Sequence, residues 1–374
     1  MKTIGIITYH HYYNYGTVLQ AYALQKAIEQ GLNCESEIID YRFSEEKKIS
    51  LFQLIILRLR RIFIYIFEIK RVWRLITQQK ILLKKQHSFD LFFHDNLKVS
   101  DKTYHNKKEI LESPPKYDIY MTGSDQTWSP KIGLSPVMFL NFVNNGAKKT
   151  AYAPSVGVSS FSKETNDVIT RYLKDYSFIS CRETVGATLL QKCTDKKVSI
   201  VLDPTLLISK TEWNQIAVSP SVSKPYILCY FIGHISYYRT YAQQLAKLTG
   251  LTLIYIPVSW VDLVKGNIFA ADAGPKEFLG LIRDAQIVLT DSYHGTIFSI
   301  NFQKDFYTFL KTKGGVTALD NSRISDILSR LNLENRLKNE HSKVEYTHID
   351  YSRTNVLLEK EREHSWSYLR NAIQ

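Results

Sequence analysis

The segment Asp291-Ser292-Tyr293-His294-Gly295 carries the residue types of an acid–base or anion-binding turn. It follows an apolar run, 287–290, and leads into an apolar stretch with helical spacing, 296–302. A strand–loop–helix junction is expected. Asp291 or Ser292 would cap the helix, and Gly295 would allow a tight turn or close ligand approach. Free N–H groups and the dipole at a helix start attract phosphate or carboxylate. His294 could also move a proton near neutral pH. The plainer reading is that Asp and Ser cap while the imidazole fills space.

Four further clusters have chemical potential. Arg182, in Ser180-Cys181-Arg182-Glu183, follows another apolar run. A guanidinium there can hold a planar oxyanion by two parallel hydrogen bonds, or simply pair with Glu183. Arg323, in Asn321-Ser322-Arg323, opens a helical pattern, as a binding residue or as a solvated neighbour of an N-cap. Asn14-Tyr15-Gly16-Thr17, leading into Gln20, reads as a strand–loop–helix turn with one glycine. It is neither GxGxxG nor GxxxxGK[ST], so dinucleotide and P-loop use are unsupported. Ser124-Asp125-Gln126, behind Gly123, fits a cleft edge or an ordinary turn. No HExxH, GxSxG or Asp-rich loop occurs, and Cys34, Cys181, Cys193 and Cys229 lack CxxC spacing. No metal and no cofactor is therefore expected.

The elements that must position these residues are short strands alternating with helices. Strands are expected at 4–8, 36–40, 118–122, 149–153, 178–181 and 198–202, then at 226–232, 251–257, 286–290 and 305–310. Helices are expected at 17–30 (stopped by Gly31), 184–192, 238–248, 275–284, 296–302, 323–331 and 354–373. This is the grammar of βαβ units and parallel sheets. The 374 residues suggest two domains, at roughly 100–200 residues each. Pro204, Pro220 and Pro225 mark the junction, giving domains 1–205 and 206–374.

Residues 50–90 stand apart, as a basic helical insertion. Arg58, Arg60, Arg61, Lys70, Arg71, Arg74, Lys80, Lys84 and Lys85 are interleaved with Leu, Ile, Phe and Trp73. A basic amphipathic helix suits an anionic membrane surface, or else packs on the protein with its cations in water. Apolar residues make up 44% and charged residues 22% of the chain, ordinary for a soluble globular protein. Lys and Arg exceed Asp and Glu by 48 to 36, a net charge of +12 that favours anionic partners. No recognised motif accompanies it, so nucleic acid is not expected. No apolar run reaches the roughly 18 residues of a membrane span. The first residues lack a signal-peptide pattern, and a cytoplasmic location is expected.

The ordered pieces NYGTVLQAYAL, TGSDQTW, YAPSVG, SCRETVGATLL, VLDPTLL, GPKEFLGLIRDAQIVLTDSYHGTIFSI and NSRISDILSRLNL together resemble the polysaccharide pyruvyl transferase family over residues 1–335. The resemblance implies a GT-B-like α/β fold, with two Rossmann-like domains facing across a cleft and a C-terminal helix crossing back. It implies transfer of the pyruvyl unit of phosphoenolpyruvate to a sugar, a galactose-type residue of a polysaccharide repeat, forming a ketal and releasing phosphate. The acceptor would be free or lipid-linked. By motif position, His294 would be catalytic, supported by Asp291. Arg182, Arg323, Ser292 and Gly295 would bind the donor, with Lys311 or Lys313 as substitutes for Arg323. Asn14, Tyr15, Gly16, Gln20, Ser124, Asp125 and Gln126 would line the acceptor side of the cleft. Tyr293 stands where many relatives have Phe. The rival readings are a GT-B glycosyltransferase using a nucleotide sugar and a non-catalytic carbohydrate-binding protein.

Overall fold

The computed structural model describes residues 1–42, 69–143, 146–222, 225–258, 270–310, 312–313, 316–317 and 322–374, with 69–78, 312–313 and 316–317 as backbone only. Arg58, Arg60, Arg61, Lys311 and Asn321 lie outside these residues, as do the side chains of Lys70, Arg71, Trp73, Arg74 and Lys313.

Two parallel sheets form the frame. The first holds β1 (Thr3–Ile7), β2 (Glu35–Ile38), β3 (Ile119–Thr122), β4 (Lys148–Ala151), β5 (Tyr176–Cys181) and β6 (Val198–Ile200), in the order β2-β1-β3-β4-β5-β6. The second holds β7 (Tyr226–Tyr230), β8 (Thr252–Tyr255), β9 (Ile287–Thr290) and β10 (Asp305–Phe309). An antiparallel pair, β11 (Thr312–Lys313) and β12 (Val316–Thr317), stands apart, and β13 (Leu337–Lys338) completes the order β13-β10-β9-β7-β8. Alternation explains why these strands are buried on both faces. In β7, Tyr226, Leu228 and Tyr230 join one apolar cluster while Ile227 and Cys229 join another.

Helices cover the faces: α1 (Tyr15–Leu32), α2 (Ile69–Asn96), α3 (Lys107–Glu112), α4 (Lys163–Leu173), α5 (Thr184–Gln191), α6 (Pro204–Leu207), α7 (Lys210–Ile216), α8 (Ser236–Thr249), α9 (Pro275–Asp284), α10 (Tyr293–Asn301), α11 (Ser322–Arg330) and α12 (Ser352–Ile373). Helix α1 does not stop at Gly31. It runs to Leu32, and Asn33 ends it with φ 50°. Gly31 serves another end: a β-carbon there would lie 2.3 Å from the Trp366 ring of α12.

Helix α12 crosses back to the first sheet. Tyr368 Oη donates to Ala151 O at 2.7 Å, and Leu369, Ala372 and Ile373 pack with Ile4, Ile6 and Leu24. Lys2 Nζ donates to the carbonyls of Ile373 and Gln374. A shared apolar core joins the halves: Tyr15, Val18 and Leu19 of α1 pack with Trp213, Phe278 and Phe298. Phe89 of the basic segment and Phe92 just beyond it, both on α2, belong to this core. Two of the segment's lysines are also engaged. Lys84 pairs with Asp272, while Lys85 Nζ lies 4.8 Å from the Tyr15 ring and donates to Pro257 O. The C-terminal part of the insertion is thus a helix packed on the protein through Phe89, with Lys84 at the surface. Among the described residues, no helix is long and apolar enough to cross a membrane.

Candidate active site

Ligands of open parallel sheets bind beyond the strand carboxyl ends, where strand order reverses. In the first sheet this point lies between β1 and β3, and in the second between β7 and β9. The loops after all four strands line one cavity of about 740 Å³. Tyr9, Tyr12, Asn14, Thr17, Asp125 and Gln126 come from the first half, and Ile232, Ser292, Tyr293, His294 and Arg323 from the second.

Two helix N-termini meet there. Asn14 caps α1 by accepting from Thr17 N at 3.2 Å. Ser292 caps α10 by accepting from Gly295 N at 3.3 Å. Tyr293, His294 and Gly295 are therefore first-turn helix residues rather than a loop. Asp291 does not cap. Its carboxylate accepts from Ile232 N and Gly233 N and fastens the loop after β7 to the end of β9.

The His294 imidazole lies against α1, where a β-carbon on Gly16 would fall 2.0 Å from Nδ1. Its Nε2 stands 3.8 Å from Asp203 Oδ2. Burial lowers the imidazole pKa below its ordinary value. Asp203 opposes that shift and Arg182 reinforces it. Tyr293 lies between two cations, its ring centre 4.5 Å from the Arg182 guanidinium carbon and 5.9 Å from that of Arg323. A phenylalanine ring could fill this role, because the ring face makes the contact.

Arg182 is not on the cavity wall. Its side chain is fully buried. Nη1 lies 2.7 Å from Asp203 Oδ2, Nη2 3.5 Å from Asp125 Oδ1, and Nε 3.9 Å from Glu183 Oε2. Burial works to lower its pKa, but Asp203, followed by Tyr293 and Asp125, raises it above the ordinary value. The guanidinium expected to bind the donor thus lies behind the wall, its Nη1 bonded to Asp203 while Nε and Nη2 have no hydrogen-bond partner among the described residues. Arg323 does line the cavity.

Other expected residues make contacts within the framework. Ser124 is buried and donates to Asp203 Oδ2 at 3.0 Å. Gln20 Nε2 donates to Thr8 Oγ1, Tyr9 O and Thr17 O, clipping the loop after β1. Tyr15 stacks on Phe278 at 4.3 Å and donates to Ala273 O, away from the cavity. Gly295 is a packing glycine, since a β-carbon there would lie 2.4 Å from Thr290 Oγ1. Asn14, Asp125 and Gln126 do line the cavity. Asp125 adopts φ 70° and accepts from Thr17 Oγ1 at 2.9 Å.

Asp203 escaped the sequence reading. It accepts from Arg182, Ser124 and Thr205 and faces His294. Burial works to raise its pKa, but Arg182, His294 and Thr205 hold it below the ordinary value. The signal was present in Asp203-Pro204-Thr205, an N-cap before a helix-starting proline, which reads equally as a linker. Among the described residues, no group of three or more His, Cys, Asp or Glu side chains is placed to hold a metal ion.

Solved structures show distant likeness. A Staphylococcus aureus MnaA–UDP structure aligns with TM-score 0.49 and 13% identity, covering 98% of this chain and 91% of that one. The Neisseria meningitidis UDP-GlcNAc 2-epimerase bound to UDP-GlcNAc aligns with TM-score 0.43 and 11% identity, covering 96% and 99%. The Escherichia coli heptosyltransferase WaaC aligns with TM-score 0.38 and 10% identity, covering 85% and 91%. At such scores the likenesses say nothing of what this chain binds. No curated protein matches the chain in sequence. The family model described as polysaccharide pyruvyl transferase matches residues 14–310, from the N-cap of α1 past the end of β10, and the chain belongs to that family of enzymes.

Proposed function

We propose that the enzyme transfers the pyruvyl unit of phosphoenolpyruvate to a galactose-type sugar of a polysaccharide repeat, forming a ketal and releasing phosphate. The observation that carries this reading is the meeting of His294, Arg323 and the α10 N-terminus on one cavity, in a chain of this family. Phosphoenolpyruvate bears a carboxylate and a phosphate on a small skeleton. The cation and the helix N-terminus suit those anions. The donor therefore sits on the wall supplied by the second sheet, with the acceptor on the opposite wall.

His294 takes up a proton as the anionic donor binds beside it and passes it to the donor methylene, converting that to a methyl group and leaving an oxocarbenium-like centre at C2. One sugar hydroxyl adds to C2 and passes its proton to His294, restoring the one spent on the methylene. A second hydroxyl of the same sugar displaces phosphate, which carries that second proton away, and the ring closes. Arg323 offsets the charge on the departing phosphate. Arg182 and Asp203 act from behind, fixing Tyr293 and the electrostatics around His294.

The test is phosphate release from phosphoenolpyruvate with methyl galactosides, joined to mass spectrometry of the sugar. A mass gain equal to pyruvic acid less one water is expected. Thermal stabilisation by a nucleotide sugar but not by phosphoenolpyruvate, with no phosphate release, would replace this reading with glycosyl transfer.

A further inference from the structure

The cavity walls differ in chemistry. The second half contributes Arg323 and His294, whereas the first half contributes Asp125 as its charged residue and is otherwise aromatic, aliphatic or neutral. Tyr9 and Tyr12 lie edge to face there, ring centres 5.8 Å apart. Ile132 and Leu134 of the loop after β3 belong to the same wall. Tyr12 is 45% exposed and Ile132 56% exposed, so large apolar surface is left open at a cavity wall.

The tyrosine loop is held in place from several sides. Gln20 Nε2 donates to Tyr9 O at 2.9 Å. His10, between the two tyrosines, is buried with Nε2 3.0 Å from Asp40 Oδ1 and Nδ1 3.1 Å from Thr8 O. Asn14 N donates to Tyr12 O at 2.8 Å. Such anchoring keeps side chains aimed before a ligand arrives.

Resting on the pyruvyl-transfer reading, we propose that Tyr9 and Tyr12, with Ile132 and Leu134 on the same wall, form the acceptor subsite for one neutral pyranose ring. The C–H face of the ring lies on the tyrosines, and its hydroxyls meet Asp125 and Gln126. An aromatic platform beside a carboxylate and an amide suits a sugar, which is apolar on one face and rich in donors at its rim. It suits an anionic donor poorly, because Asp125 would repel it.

The experiment uses the full chain and methyl glycosides of galactose, glucose and mannose. Saturation-transfer NMR is recorded on the wild type, Tyr12→Ala and Tyr12→Phe without donor. Steady-state phosphate release is then measured with the glycoside giving the strongest signal. Saturation of ring C–H protons is expected in the wild type and Tyr12→Phe, and its loss in Tyr12→Ala. The acceptor KM should rise about tenfold or more in Tyr12→Ala, with the phosphoenolpyruvate KM unchanged. Equal saturation in Tyr12→Ala, no saturation from any glycoside, or a rise confined to the phosphoenolpyruvate KM would overturn the subsite. Sugar saturation that depends on Tyr12, without any phosphate release, would instead keep the subsite and overturn pyruvyl transfer.

Discussion

Helices α1 and α10 each begin just beyond a switch-point strand, and each is capped by a side chain, Asn14 on Thr17 N and Ser292 on Gly295 N. Each has a glycine in its first turn. Gly16 gives up a side chain so that the His294 ring can lie against α1, while Gly295 does so to pack on Thr290 within its own domain. One helix start therefore brings the proposed reactive group, His294, and the other makes room for it. The contrast shows that a shared local motif does not imply a shared role. What distinguishes the two starts is the partner each first turn meets.

The sharpest way to break the comparison is His294→Ala. Phosphate release should fall by roughly 10²–10⁴-fold with the urea midpoint near that of the wild type. Undiminished turnover would remove the chemistry from α10. The next effect is one of stability. Asp203→Ala leaves Arg182 facing fewer carboxylates in a buried site and should cost about 3–5 kcal/mol in urea unfolding. A variant as stable as the wild type would mean that the buried pair does not hold the two halves of the site.

Gly16→Ala addresses the comparison directly. Displacing the imidazole should lower turnover about 10²-fold, with little change in stability beyond the strain at that contact. Gly295→Ala should instead appear mainly as about 1–3 kcal/mol of lost stability from overpacking. If the two glycines exchange these signatures, the assignment of roles is reversed. The smallest effect concerns pH. The folded His294 holds its proton less tightly than an ordinary histidine of pKa 6.5. Its contribution to stability is thus fully present above that value and is lost as pH falls below it. His294→Gln should flatten the stability difference between about pH 8 and about pH 5. An unchanged slope would count against a buried neutral imidazole.

Buried strands, written as short apolar runs, and the helix opened by Pro275 were legible in the sequence because each is dictated locally. Pro275 opens α9, and Asp284 ends it, as the pattern requires. The parts not legible were set by distant partners. Gly31 looks like a helix stop until Trp366 is brought over it. Arg182 could be read as an anion-binding group from its neighbours in sequence, but Asp203 and Asp125, which lie beside it, come from distant segments. Tyr15 sits beside cavity residues in sequence but faces Phe278 in space. The residues that do face the cavity, such as His294 and Asp125, were legible because they directly follow strands at the two switch points.

The return of α12 to the first sheet has a consequence for how the protein is made. Domains tend to fold as they emerge from the ribosome, the earlier one first. Here the first sheet has part of its apolar cover supplied by Leu369, Ala372 and Ile373, so its folding cannot be completed until those residues have been synthesised. Protease protection of Ile4 and Ile6 in ribosome-held chains should therefore appear only once α12 has emerged, and earlier protection would show that the sheet closes without it. Until then the nascent first half waits with an open apolar face, a substrate for chaperones rather than a finished domain.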